Sequence, residues 1–245
     1  DRRTTLVQSL GSIVAFDALD ANEIDVYVDY SGTLWANEME RVDIQGARSE
    51  VLNGVRRFLQ EEHGIAVAAA LGFENTYALA VRSEVARRLG LHTISDLETH
   101  AETLVIGGDY EFFARPEWTA IQEQYRLSFR EERTMDPALM YQAATTGAVD
   151  VISAFSSDGR IAAYDLVVLD DDRHVIPPYD AIVLVGTRLL QEAPVVVEAL
   201  SQLDGTIDAG RMRELNLRVD EHGDTPRAVA TAFIEDLSAT AQEER

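Results

Sequence analysis

The sequence predicts an α/β protein, with mostly parallel sheets flanked by helices, and three observations predict it. Short β-branched runs alternate with helix-like segments along the whole chain. No internal repeat and no low-complexity linker interrupts the alternation. At 245 residues the length suits two sheets of about four to five strands better than one.

The elements follow in order. Thr4 to Leu10 reads as a strand, and Ile13 to Ala21 as a helix carrying Val14, Phe16 and Leu19. Ile24 to Val28 is a second strand, followed by the turn Tyr30-Ser31-Gly32-Thr33 and a helix through Arg41. Ala47 to His63 has helical spacing at Val51, Val55, Phe58 and Leu59, and Gly64 stops it. Ile65 to Ala70 and Thr76 to Val81 are two consecutive strands. Ser95 and Glu98 have the spacing of a capping box. Leu104 to Ile106 is a strand, and Glu111 to Tyr125 a helix that accommodates Pro116 near its start. Asp136-Pro137 gives an N-cap with proline at the first helical position, and Gly147 closes that helix. Val149 to Phe155, Leu166 to Leu169 and Ala181 to Val185 are apolar strands. Helices end the chain, the last opening at Thr225-Pro226.

Charge narrows the function classes. Acidic residues number 43 against 21 basic ones, for a formal net charge of −22, and every basic residue is arginine. Such a surface repels itself at low ionic strength and is screened at high salt, which points to a salt-rich surrounding. The acid excess is better explained that way, whereas a GC-rich genome better explains arginine over lysine. The same charge argues against nucleic acid, which requires a basic patch. No apolar run reaches the roughly 20 residues of a membrane span, and Asp1-Arg2-Arg3 has no character of a signal peptide. Without cysteine there is no disulfide and no thiolate. No cofactor or metal site is expected: Asp170-Asp171-Asp172 reads as a solvated acidic turn.

In open α/β sheets ligands sit at the carboxyl ends of strands, and aromatic residues gather there. The loops are Val28 to Thr33, Gly72 to Tyr77, Ala154 to Gly159 and Ile176 to Asp180, while Gly107 to Arg115 adds a basic residue. A trimethylammonium group has no N–H to donate, but aromatic faces attract it by about 0.5–2 kcal/mol each. A carboxylate on the same ligand needs an arginine or backbone N–H groups. Each ring taken singly also reads as a core or rim residue, as Phe16, Tyr27, Phe58 and Tyr141 do. Arg115 equally reads as a partner of Glu111 or Glu117.

The segment Ile24 to Thr33, IDVYVDYSGT, resembles the IDVYPEYTGT segment of glycine betaine/choline/carnitine substrate-binding proteins of ABC importers. Gly72 to Ala80, Met135 to Tyr141, Phe155 to Ile161, Pro177 to Ala181 and Gly205 to Asp220 resemble the same family in the same order. The resemblance implies a type II periplasmic-binding fold of two α/β lobes that close on a ligand by a hinge. Its two crossing strands would fall near Tyr77 to Arg82 and Asp180 to Gly186. It implies lobe I at residues 1–78 plus 183–245 and lobe II at 79–182. Tyr30, Tyr77, Phe155 and Tyr179 would form an aromatic box, and Arg115 would hold a carboxylate. Thr33, Asn75, Ser156, Asp158 and Asp180 would be neighbours. The implied partners are a small quaternary ammonium ligand and ABC permease subunits, separate or fused, in an extracytoplasmic location.

The sequence departs from the family at three points. Position 155 is Phe where the family usually has Tyr, keeping the π face without the hydroxyl. Asp109 and Asp180 bring acids close to the site, which favours a ligand with little or no carboxylate, such as choline. The strand and helix that the family places ahead of the Arg2 to Gly11 match have no counterpart in this sequence.

Two other classes stay open at this level. One is a binding protein or sensor domain for an amino acid or another small anion. The other is a hydrolase using Ser156 and Asp158, although His63, His92, His100, His174 and His222 are scattered and no catalytic motif surrounds them.

Overall fold

The computed structural model describes residues 4–7, 10–41 and 48–243. The chain divides into two compact units, one of residues 1–75 and 177–208, the other of residues 76–176 and 209–245. It therefore changes unit three times, after Asn75, Ile176 and Asp208.

The first unit opens with α1 (Ser12–Asp20), β1 (Val26–Tyr30), α2 (Ser31–Asn37) and α3 (Arg48–Phe58). A single π-helical turn, Leu59–His63, extends α3 until Gly64 ends it at a φ of 66°. β2 (Ala66–Glu74) follows. The second unit then begins with β3 (Tyr77–Arg82), α4 (Ser83–Leu89), β4 (Val105–Gly108), α5 (Pro116–Tyr125), β5 (Glu131–Thr134) and α6 (Pro137–Thr145). It continues through β6 (Val151–Phe155), α7 (Arg160–Ala163) and β7 (Leu166–Val168). The chain returns to the first unit for β8 (Asp180–Val185), α8 (Thr187–Glu192) and α9 (Pro194–Ser201). It ends in the second with α10 (Ala209–Asp220) and α11 (Pro226–Glu243).

The sheet of the first unit has the order β1-β8-β2, with β8 antiparallel to both neighbours. Phe16 and Leu19 of α1, Leu34 and Trp35 of α2, and Val51, Val55 and Leu59 pack with Ile182 and Leu184 of β8 into its core. The sheet of the second unit runs β5-β4-β6-β3-β7, with β4 parallel to β5 and β6, and β3 antiparallel to β6 and β7. Successive side chains of a strand point to opposite faces, and here both faces are covered. Leu79, Val81, Ile106 and Val151 join Phe112, Trp118, Ile121 and Tyr125 on one side. Ala80, Val105, Ile152 and Ala154 join Met140, Tyr141, Ala144 and Ile161 on the other.

Several expectations need correction. The sheets have three and five strands and mix directions instead of being mostly parallel. The reversed strands, β3 and β8, are those the chain enters directly after changing unit. The segments expected to cross, Tyr77 to Arg82 and Asp180 to Gly186, each lie within one unit, and the chain changes unit in the connectors just before them. Residues 209–245, expected with 183–208 in the first lobe, group with the second unit, where α10 packs on α7. Residues 4–7 and 10 form no strand, and Leu6 and Val7 are 80% and 54% exposed. Asp1, Arg2, Arg3, Gln8, Ser9 and Ala47, on which other expectations rest, lie outside the described residues. The helix expected through Arg41 stops at Asn37. The capping box is Thr93 with Asp96, on a 3-10 turn, because Asp96 receives the N–H groups of His92 and Thr93.

Candidate functional site

Two groups of the expected residues form, one on each unit. In the first unit β1 leads straight into α2 with no intervening turn. Asp29, buried, accepts the backbone N–H of Tyr30 at 2.7 Å and the Tyr27 hydroxyl at 2.9 Å. Burial raises the Asp29 carboxyl above the usual range, against the pull of those hydrogen bonds. Ser31 Oγ receives the Asp180 N–H at 2.9 Å and donates to the Pro178 carbonyl at 3.4 Å, which seats the 177–179 segment on the start of α2. Gly32 makes that seating possible. A Cβ there would lie 2.7 Å from the Pro178 oxygen and 2.8 Å from the Tyr179 ring. Asn75 ties the two tyrosine segments together, its N–H donating to the Tyr179 carbonyl at 3.1 Å and its side chain bonding the Tyr30 phenol. Burial pushes that phenol up. Thr33 is half-buried on α2.

Asp180, 3% exposed, belongs to the frame of this group. Its Oδ1 receives Arg48 Nε at 2.7 Å, and the same guanidinium pairs with Glu74 at 2.6 Å. Its charge is thus answered by a cation on its own unit.

In the second unit Tyr77 and Phe155 are cross-strand partners at the end of the β3–β6 ladder. Their ring centroids lie 4.9 Å apart with planes tilted by 31°, and Phe112 adds a third ring 5.2 Å from Tyr77. Phe155 is 43% exposed at the carboxyl end of β6. Arg115 is the residue before α5, and its guanidinium carbon lies 5.2 Å from the Tyr77 ring centroid. Its NH2 group donates to Glu111 at 2.9 Å, while its Nε is buried without a hydrogen-bond partner among the described residues. Burial first, then the nearby Asp109 charge, raises the Tyr77 phenol.

Tyr77 and Phe155 line a cavity of about 40 Å³ with Asp109, Tyr141, Asp158 and Arg160. Arg160 grips Asp158 through Nε at 3.0 Å and NH2 at 2.7 Å, and the Tyr141 hydroxyl donates to the same carboxylate at 2.7 Å. Burial works against the Asp158 charge, but the bonds from Arg160 and Tyr141 outweigh it and lower the carboxyl. Ser156 is held in the backbone: its Oγ accepts the Thr76 N–H at 3.1 Å, and its carbonyl accepts Arg213 at 2.8 Å. Asp158 is therefore committed to Arg160 and Tyr141 and does not serve Ser156 as a base.

Sequence reasoning missed Arg160 and the Tyr141 hydroxyl. The i, i+2 spacing of Asp158 and Arg160 at a helix start was the available signal. The acidic run at 170–172 is a turn whose Asp171 accepts the Val175 and Ile176 N–H groups and whose Asp172 accepts Ser95. No cluster of metal-ligating side chains occurs among the described residues. A larger cavity, about 510 Å³, lies beside Trp35, Asn53 and Phe58 in the first unit and contains none of the expected site residues.

Residues 3–236 match the family model described as the substrate-binding domain of the ABC-type glycine betaine transport system. The chain belongs to this family. Its members are extracytoplasmic substrate-binding proteins and not enzymes, which removes the hydrolase reading. This family member is 30% identical over 245 aligned residues to the glycine-betaine-binding protein of Pseudomonas aeruginosa, covering 94% of this chain and 77% of that one. It is 29% identical over 228 residues to the ergothioneine transport permease/ergothioneine binding protein EgtU of Helicobacter pylori, covering 93% of this chain but only 41% of that longer protein. The crystal structure of a glycine betaine/carnitine/choline ABC transporter protein superimposes with a TM-score of 0.88 at 31% identity, over 92% of this chain and 84% of the other. The fold is accordingly the two-lobe type of periplasmic binding proteins. No helix among the described residues is long and apolar enough to cross a membrane.

Proposed function

We propose that this chain captures a quaternary ammonium osmoprotectant, such as glycine betaine or choline, and delivers it to ABC permease subunits outside the cytoplasm. The observation that carries the reading is the Tyr77–Phe155 pair, with the Phe155 face left open to solvent at a strand end. An exposed aromatic face backed by a second ring suits a methylated nitrogen, which binds π surfaces without donating hydrogen bonds. Tyr30 and Tyr179 are the proposed aromatic contacts on the first unit, with Thr33 and Asn75 beside them. Arg115 is the proposed partner of a ligand carboxylate, a role that requires it to leave Glu111. Ser156, Asp158 and Asp180 support the site through the bonds described above.

Calorimetric titration with glycine betaine, choline, carnitine and the common amino acids tests the reading. Tyr77→Ala and Tyr179→Ala are each expected to weaken quaternary ammonium binding at least tenfold, equivalent to about 1.4 kcal/mol per ring. Phe155→Tyr should bind as well as the parent. Binding of amino acids alone would replace this reading with an amino-acid receptor.

A further inference from the structure

Asp109 differs from the other charged groups that line the cavity beside Tyr77 and Phe155. Asp158, in the same cavity wall, is neutralised by Arg160. Arg115, whose guanidinium carbon lies 5.2 Å from the Tyr77 ring centroid, is neutralised by Glu111. Asp109 receives two hydrogen bonds, from the backbone N–H groups of Glu111 and Phe112, both at 2.8 Å and both to Oδ1. Those neutral dipoles fix the carboxylate on its turn without cancelling its charge. No cation pairs with it among the described residues, and its Oδ2 has no hydrogen-bond partner there. Its field reaches the cavity, where it contributes to raising the Tyr77 phenol. Of the cavity's charged groups Asp109, Asp158 and Arg160, Asp109 is thus the carboxylate without a counter-ion among the described residues, and it lines the same cavity as the open aromatic face.

We propose that Asp109 is the charge-selecting residue of this site, favouring a quaternary ammonium ligand of net positive charge over a zwitterion with the same headgroup. The inference rests on the quaternary ammonium reading above and names the ligand class within it. Both kinds of ligand offer the cationic head to the rings and to Asp109. Only the zwitterion brings a carboxylate, which Asp109 repels and which finds Arg115 already bound to Glu111. Specificity then comes from a repulsive element as much as from an attractive one.

The test is calorimetric titration of the parent chain, Asp109→Asn and Glu111→Gln with choline and with glycine betaine. Asparagine keeps the acceptor oxygen that caps the turn, and Asp109→Ser is a second uncharged variant that also caps turns. In the parent, choline should bind at least tenfold tighter than betaine. Asp109→Asn should weaken choline at least tenfold and leave betaine unchanged or tighter, and Glu111→Gln should tighten betaine alone by releasing Arg115. An unchanged choline-to-betaine ratio in both uncharged variants overturns the proposal while the quaternary ammonium reading stands. Failure of the parent to bind either solute overturns both.

Discussion

Asp158 and Asp29 are carboxylates inside the protein whose surroundings push them in opposite directions. Asp158 is lowered, because its bonds from Arg160 and Tyr141 outweigh the burial that opposes them. The unfolded chain then binds a proton before the folded one does. Its stabilisation is present above the ordinary carboxylate range, near pH 3.9, and is lost as pH falls through the lower folded value. Asp29 is raised by burial, so its contribution runs the other way: it is relieved in acid and is lost as pH rises through its raised value. Thermal melts against pH should therefore show the parent losing its advantage over Asp158→Asn below about pH 4. The difference between parent and Asp29→Asn should move in the parent's favour as pH falls from 7 towards 4. Parallel profiles for parent and variant would remove either assignment. At this scale the sequence was readable for residue type but not for partnership. Tyr30, Tyr77, Phe155 and Tyr179 could be picked out as rings at strand ends. Nothing local revealed that Asp180 would be held by Arg48, 132 positions away, or that Asp109 would have no cation paired with it among the described residues.

Glycine marks the places where one element presses on another. At Gly159, beside α7, an added Cβ would come within 2.4 Å of the Leu217 backbone nitrogen on α10. Gly159→Ala should force the two helices apart, at a cost of about 1–3 kcal/mol. Circular dichroism should show that as a drop in Tm of several degrees. Gly32→Ala should act more selectively, pushing Tyr179 off the start of α2 and weakening ligand binding more than it lowers Tm. The helices and the apolar strands were legible because their periodicity and caps are local: Gly64 and Thr225-Pro226 bound α3 and α11 as expected. Strand direction was not, since an apolar run reads the same from either end, and β3 and β8 are the strands that the chain enters just after changing unit. The β-branched run at 4–10 has strand propensity, but its described residues pair with nothing, and propensity without a ladder does not make a strand.

For the molecule as a whole, a formal charge of −22 predicts a strong dependence on salt. At 1 M the Debye length shrinks to about 3 Å, so distant carboxylates no longer repel one another. The Tm should rise steadily between 0.05 and 2 M potassium chloride, and a flat or falling curve would disconnect the acid excess from salinity. The ordered loop motifs disclosed the family, but the division of the chain was legible only in part. Residues 209–245 return to the second unit, where Arg213 and Asn216 donate to the Ser156 and Ser157 carbonyls, directly after Phe155. The helix α10 therefore buttresses the end of β6 that presents Phe155. Anyone adapting this protein as a fluorescent reporter must keep that helix intact, because trimming it would loosen the strand end on which the Phe155 ring is carried.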